Sequence, residues 1–371
     1  MCGALAAIGC GAAPDGEELG DLDGPADEEI GQADSELVAP WIVSTVPPVG
    51  QLAAVGIDRG GGYAYLGFNP ALTPGGCTQN NTQRDLLGRS HLSVGGGHYT
   101  ILKTTRCDTQ ALSPVSDGNF VYYIRDVAGV RTVRRAKWSA PHTDTHVSSI
   151  ANVNTLSATP LGANIFAVAP NGVFRAPSAG GTAIQLATAA SGTAFTFAAH
   201  DAAHVYYFET TAIGAVSLKR VPVGGGPSEQ LPAVTWGNAV RAVTQDASNV
   251  YWFEGPALPV GGGVIRRMSK SSPSTAPTFV TVGPNDTATA LGVNSTRLFW
   301  VLQTPGPNFA VNAPTKIQSA TLTNPVVLDE LTGLQGAGHL GGMHGNLWVG
   351  NSILEWHSGG ASTITMAQFA P

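Results

Sequence analysis

Apolar residues along this chain come in short runs, most of them alternating with polar residues at a period of two, and Gly, Pro, Asp and Asn separate the runs. That pattern predicts half-buried β-strands joined by tight turns; almost nowhere do apolar residues recur at the spacing of a helix. One run repeats. Asp117-Gly-Asn-Phe-Val-Tyr-Tyr-Ile124, Asp201-Ala-Ala-His-Val-Tyr-Tyr-Phe208 and Asp246-Ala-Ser-Asn-Val-Tyr-Trp-Phe253 share an aspartate, three variable residues and a β-branched and aromatic stretch. Weaker versions are Asp58–Leu66, Ala163–Val168, Ser295–Val301 and His344–Val349. With Ala64, Tyr122, Phe166, Tyr206, Tyr251, Phe299 and Trp348 taken as equivalent, the intervals are 58, 44, 40, 45, 48 and 49.

A second strand follows most copies, with a basic or polar residue alternating with apolar ones: Arg131–Ala136, Gly172–Ala176, Val216–Val221, Val264–Met268, Lys316–Ala320 and Ser352–Trp356. Glycine clusters such as Gly224–Gly226 end that strand, and a third strand follows, as in Thr278–Val282. The segment before each aspartate, such as Val240–Asp246, supplies a fourth. Four short strands per unit of about 45 residues, repeated with almost no helical pattern, specify an all-β fold: a single β-propeller of seven four-stranded blades, with six as the alternative. Trp41–Val46 is expected to pair with the final blade.

The Asp-x-x-x-Val-Tyr-Trp strand followed by an Ile-x-Arg strand resembles the YWTD and NHL-like propellers, and more closely the propeller lipoproteins of myxobacteria. The resemblance covers about residues 50–371. It implies that Asp117, Asp201 and Asp246 cap the turn between the first two strands of a blade. It leaves function open, because such propellers include receptors, lectin-like binders, lactonases and lyases.

Composition agrees with a turn-rich fold, with 47 Gly and 25 Pro in 371 residues and 12% charged. The net charge of -6 hides an asymmetry: residues 1–36 hold ten acids and no Lys or Arg, leaving fifteen acids against 19 bases in the remainder. Scattered bases in so small an excess lack the footprint of a nucleic-acid binder. Residues 11–37 are acidic and free of aromatics, which predicts a disordered spacer ahead of a propeller spanning 38–371. Residues 1–10 end in Leu5-Ala-Ala-Ile-Gly-Cys10, which resembles the lipobox of bacterial lipoproteins, although Ala7 stands where leucine is commonest and no basic residue precedes it. That resemblance implies acylation of Cys10, export, and a place in the cell envelope or outside it, with the membrane reached only through lipid.

Cys77 and Cys107 lie in the oversized first interval, inside or beside an insertion expected over Asn69–His98. In an exported protein they are expected to pair, restricting the unfolded chain by roughly 3 kcal/mol. His142-Thr-Asp144-Thr-His146 is the best metal-like pattern, since on an extended strand its three donors would share one face and suit Ca or Zn; a solvated edge strand is the other reading. His339 and His344 are the histidine pair placed to look into a central channel. His200-Asp201 could be read as a dyad, but falls at a variable turn position. Trp252, Trp300 and Trp348 fall on the repeated strand and are expected to pack between blades, whereas Trp138, Trp236 and Trp356 lie outside it and are candidates for stacking on a sugar. No phosphate loop, nucleophile elbow or His-Glu-x-x-His helix occurs.

These features predict a surface-tethered binding or scaffold propeller, monomeric, needing no cofactor, with a protein or glycan ligand on one face. The alternative is a lactonase- or lyase-like propeller enzyme with a channel-centred metal site.

Overall fold

The computed structural model describes residues 41–45, 51–58, 63–69, 84–91, 98–117, 119–137, 139, 141–156, 163–234, 237–256, 261–303, 314–335, 347–349, 353–357 and 363–368. Among these there are 28 strands and no helix, hence none long and apolar enough to cross a membrane, and every strand lies in the unit Glu36–Pro371. The acidic spacer and Cys10 fall outside the described residues.

The strands form seven antiparallel four-stranded sheets. After β1 (Trp41–Thr45) come β2 (Gln51–Asp58), β3 (Tyr63–Asn69), β4 (Arg84–His91) and β5 (His98–Thr104), which make one sheet. Next are β6 (Thr109–Ser116), β7 (Phe120–Val127), β8 (Val130–Lys137) and β9 (Asp144–Ser148), then β10 (Thr155–Leu156), β11 (Asn164–Ala169), β12 (Gly172–Pro177) and β13 (Ile184–Thr188). The fourth sheet is β14 (Ala194–His200), β15 (His204–Thr210), β16 (Val216–Pro222) and β17 (Glu229–Ala233), and the fifth β18 (Asn238–Gln245), β19 (Asn249–Pro256), β20 (Gly263–Ser269) and β21 (Thr278–Val282). The sixth is β22 (Thr287–Val293), β23 (Arg297–Gln303), β24 (Pro314–Thr321) and β25 (Val327–Gln335). In the seventh, β26 (Leu347–Val349), β27 (Ile353–His357) and β28 (Thr363–Gln368) are joined by β1, which sets Trp41 opposite Met366. The first strands of successive sheets lie side by side in chain order, from β2 through β26.

The repeated motif explains each sheet locally. The Asp246 carboxylate closes the turn between β18 and β19: Oδ1 accepts from the amides of Ser248 (2.7 Å) and Asn249 (2.6 Å), and Oδ2 from the Tyr251 hydroxyl at 2.8 Å. Asp117 and Asp201 repeat the arrangement with Tyr122 and Tyr206. In the sixth sheet Asn294 accepts from the amides of Thr296 and Arg297, and there the aromatic is Phe299, which has no hydroxyl to satisfy. Turn cap and aromatic thus change together.

Directly across from each of these aromatics on the third strand stands a basic residue or its substitute: Arg135 opposite Tyr122, Arg175 opposite Phe166, Arg220 opposite Tyr206, Arg267 opposite Tyr251 and Ser319 opposite Phe299. Three of the arginines donate to a backbone carbonyl of the following sheet, Arg135 to Ser178 (2.9 Å), Arg175 to Val223 (2.8 Å) and Arg267 to Leu322 (2.7 Å). The rest of the cohesion is apolar. Phe208 meets Trp252 edge-on at 6.0 Å across the fourth and fifth sheets, and Trp300 packs with Tyr251 and Phe253 across the fifth and sixth. Trp252 and Trp300 are wholly buried, as their place on the repeated strand predicts.

Two expectations need correction. The stretch Asn69–His98 is not one insertion, because β4 and the start of β5 lie in it and only 70–83 is surplus. The Asp58–Leu66 copy therefore heads a full sheet. Trp348 is not at the position of Tyr251: β26 is the edge strand next to β22, and β1 takes the opposite edge of that sheet, so the three C-terminal strands sit one place further in.

Candidate functional site

Because the strands alternate in direction, each sheet has two ends of different character. At one end lie the turns between first and second strands, three residues long at 117–119, 201–203, 246–248 and 294–296 and longer at 59–62 and 157–163. At the other lie the second-to-third connections, which range from 128–129 and 170–171 to 70–83 and 304–313. That end couples a constant scaffold to variable loops, the arrangement in which binding sites are commonly built.

A cleft of about 480 Å³ opens there, between the fourth sheet and the fifth. Its lining includes Phe208, Thr210, Ile213, Val216, Asn238 and Val240. One wall is the β15–β16 connection, a tight loop in which the amides of Gly214 and Ala215 donate to the Thr211 carbonyl (2.9 Å) and hydroxyl (3.1 Å), and the Thr211 amide to the Ala215 carbonyl (2.8 Å). Gly214, at φ +80, supplies the left-handed residue that this loop requires. Ile213 at the tip is 76% exposed, and on the second sheet Val130, beside the 128–129 turn, is 68% exposed. Both side chains lie at the variable end.

Several charges at this end are paired locally. Arg106 pairs with Asp108 at 2.6 Å and Arg131 with Asp126 at 3.0 Å. Glu209 and Lys219, on the strands that flank the cleft, bond each other.

The three residues of the metal-like pattern are not brought together. The Asp144 carboxylate accepts from the Tyr123 hydroxyl (3.0 Å), Arg134 Nε (2.8 Å) and Arg125 Nη1 (3.3 Å). Burial works against the Arg134 charge, but the hydrogen bond and charge of Asp144 outweigh it and hold the guanidinium above its ordinary pKa. Two guanidiniums thus lie against the carboxylate where a cation would sit. His142 Nδ1 lies 3.2 Å from the Lys137 carbonyl and His146 Nε2 3.0 Å from Ser149 Oγ, both side chains exposed. Among the described residues no group of three His, Cys, Asp or Glu is placed to hold a metal. The edge-strand reading fits, since β9 is the last strand of its sheet.

Asp201 is occupied by the turn it caps, while His200 is buried against Phe166, ring centres 5.4 Å apart. Although burial acts to raise the Asp201 carboxyl, the amides of Ala203 and His204 and the Tyr206 hydroxyl hold it below its ordinary value. His339, His344, Cys77, Trp138 and Trp236 lie outside the described residues, and Trp356 falls on β27. Cys107 is disulfide-bonded.

Sequence reasoning missed the cleft and the arginine links between sheets. The links had a signal, the arginine at one register position of successive third strands; the cleft had none, since its lining is assembled from two sheets.

No family model and no curated protein matches the chain. Solved structures do. A chain of the mitotic checkpoint complex aligns with a TM-score of 0.58 and 11% identity, over 98% of this chain and 98% of that one. YCF48, solved bound to D1 peptide, aligns at 0.56 and 10% identity, over 88% of this chain and 95% of its own. A prolyl endopeptidase aligns at 0.58 and 11% identity over 88% of this chain and 51% of that one, so this chain spans about half its length. At such identities the likeness establishes the fold, which is a β-propeller.

Proposed function

We propose that residues 38–371 form one closed seven-bladed propeller, tethered through the spacer 11–37 to an acylated Cys10 in the cell envelope, whose variable end binds a protein partner. The observation that carries the binding reading is the contrast in loop length between the two ends: most first-to-second turns are three residues long, whereas the second-to-third connections run from two residues at 128–129 to fourteen at 70–83. Seven four-stranded sheets and the β1–β28 pairing support closure, because joining the two ends of the chain in one sheet leaves no unpaired blade. Fold neighbours that bind peptide or assemble with other proteins, YCF48 with its D1 peptide and the checkpoint-complex chain, are consistent with a protein ligand. Export rests on the lipobox-like Leu5–Cys10 and on the disulfide at Cys107, which suits an oxidising compartment.

The test is a photo-crosslinking residue at Val130 or Ile213, compared with Ser271 or Val326 at the opposite end, in full-length protein in its own cells. Protein adducts from the first pair only are expected. Adducts from the second pair only, or none from either, would remove the protein-binding face; none from either, combined with glycan capture, would favour a sugar ligand.

Cys77 is proposed as the partner of Cys107, fixing the long 70–83 connection to the 105–108 segment at the same end. Thiol titration of the denatured, unreduced protein is expected to find neither of these two cysteines free, and peptide mapping to recover them as one linked pair. Linkage of Cys107 to Cys2 or Cys10 is the result that would reject it.

A further inference from the structure

We infer that the cleft between the fourth and fifth sheets is the pocket for one uncharged aliphatic or aromatic side chain of the partner polypeptide. The inference rests on the reading of the variable end as the binding face, and it adds where on that face recognition occurs and by what chemistry. The cleft, at about 480 Å³, lies low in the size range of small-molecule pockets, roughly 300–1,000 Å³. It is room for a side chain and its flanking backbone, and too little for a folded element.

Its chemistry selects against charge. Among the described residues none that lines it is charged. Phe208 is buried at its floor, Val216 and Val240 are half-buried in its walls, and Ile213 projects at its rim. Thr210 and Asn238 provide the polar atoms in its lining that can meet a peptide group. Of the charges near the lining in sequence, Glu209 and Lys219 are bonded to one another, as are Arg106 with Asp108 and Arg131 with Asp126 at the same end. A charged side chain entering here would lose its hydration against an uncharged lining, whereas a neutral apolar one removes the exposed Ile213 from water. The complementary occupant is therefore neutral, and an exposed aliphatic rim over an aromatic floor fits a side chain of leucine or phenylalanine type.

The experiment is an amide NMR titration of the full chain with N-acetyl-leucinamide and N-acetyl-phenylalaninamide, against N-acetyl-lysinamide and the α-amide of N-acetyl-glutamate. The neutral amides are expected to shift the signals of Thr210, Val216, Asn238 and Ala239, with the charged ones at least tenfold weaker. Ile213→Asp is expected to weaken the neutral amides at least fivefold and Ile213→Leu to leave them unchanged; both variants sit on an exposed tip and leave the sheets intact. Equal responses to all four amides, or shifts confined to other sheets, would overturn the assignment. If crosslinks from Val130 and Ile213 capture a protein while the cleft ignores the neutral amides, the pocket falls and the binding face stands. Crosslinks only from Ser271 and Val326 would remove both.

Discussion

Replacing Asp246 by Ala is expected to destabilise the protein by about 2–4 kcal/mol, because one carboxylate accepts from two backbone amides, the Tyr251 hydroxyl and the Asn249 side-chain amide at once. Its loss removes charge-assisted acceptors for the amides of Ser248 and Asn249, and leaves the hydroxyl of Tyr251 without its acceptor on a side chain that is otherwise fully buried. Hydrogen bonds to a charged group contribute about 1.5–3 kcal/mol net, and a buried donor left unpaired costs about 1–3. A urea midpoint that falls at constant slope is the expected readout. The sixth sheet supplies an internal control, since Asn294 caps its turn where Phe299 replaces the tyrosine. Asp246→Asn combined with Tyr251→Phe reproduces that pair. The double variant should therefore cost less than the sum of its two single variants, by about 1 kcal/mol of coupling. Strict additivity would mean that the cap and the aromatic are energetically independent, contrary to the geometry.

Asp246 and its equivalents also show how far the fold could be read from residues alone. A carboxylate three residues ahead of a Val-Tyr-Trp strand is a local device: its partners lie within five positions, so the pattern is written contiguously and the second strands at Phe120–Val127, His204–Thr210 and Asn249–Pro256 were legible. The C-terminal sheet was legible in part: the pairing of Trp41–Val46 with it was expected, and β1 does pair with β28, but the motif match at His344–Val349 placed Trp348 on a second strand when β26 is the first of its sheet. The histidine pattern is a related case. Spacing puts His142, Asp144 and His146 on one face, but the contacts of Asp144 are set by Arg134 on the adjacent strand β8 and by Tyr123 and Arg125 one strand further, on β7. The cleft is the extreme case, its walls being drawn from two sheets with no shared motif.

The second large effect is alkaline. Five of the eight tyrosines have hydroxyls pushed above the ordinary value. Burial is the leading cause in each; for Tyr122, held at about 12, the next is the hydrogen bond to Asp117. Asp201 and Asp246 act likewise on Tyr206 and Tyr251, and the Asp144 charge on Tyr123. A native pKa above the unfolded one means that the folded protein holds its proton more tightly. The resulting stability is complete below about pH 10 and declines as pH rises through about 12 for Tyr122, and beyond that for Tyr206, Tyr251 and Tyr123. Each pKa unit is about 1.4 kcal/mol before screening, and with hydroxyl ends partly screened by solvent a contribution on the order of 1 kcal/mol per tyrosine remains, several in total. The urea midpoint should thus stay level to about pH 10 and fall steeply above it. Phenolate absorbance from these five should rise together with loss of near-ultraviolet circular dichroism, because ionisation at Tyr122, Tyr206 or Tyr251 places a second negative charge against the turn carboxylate and releases the cap. If all eight tyrosines ionise near pH 10 while the circular dichroism stays native, the Asp–Tyr caps do not hold the sheets together.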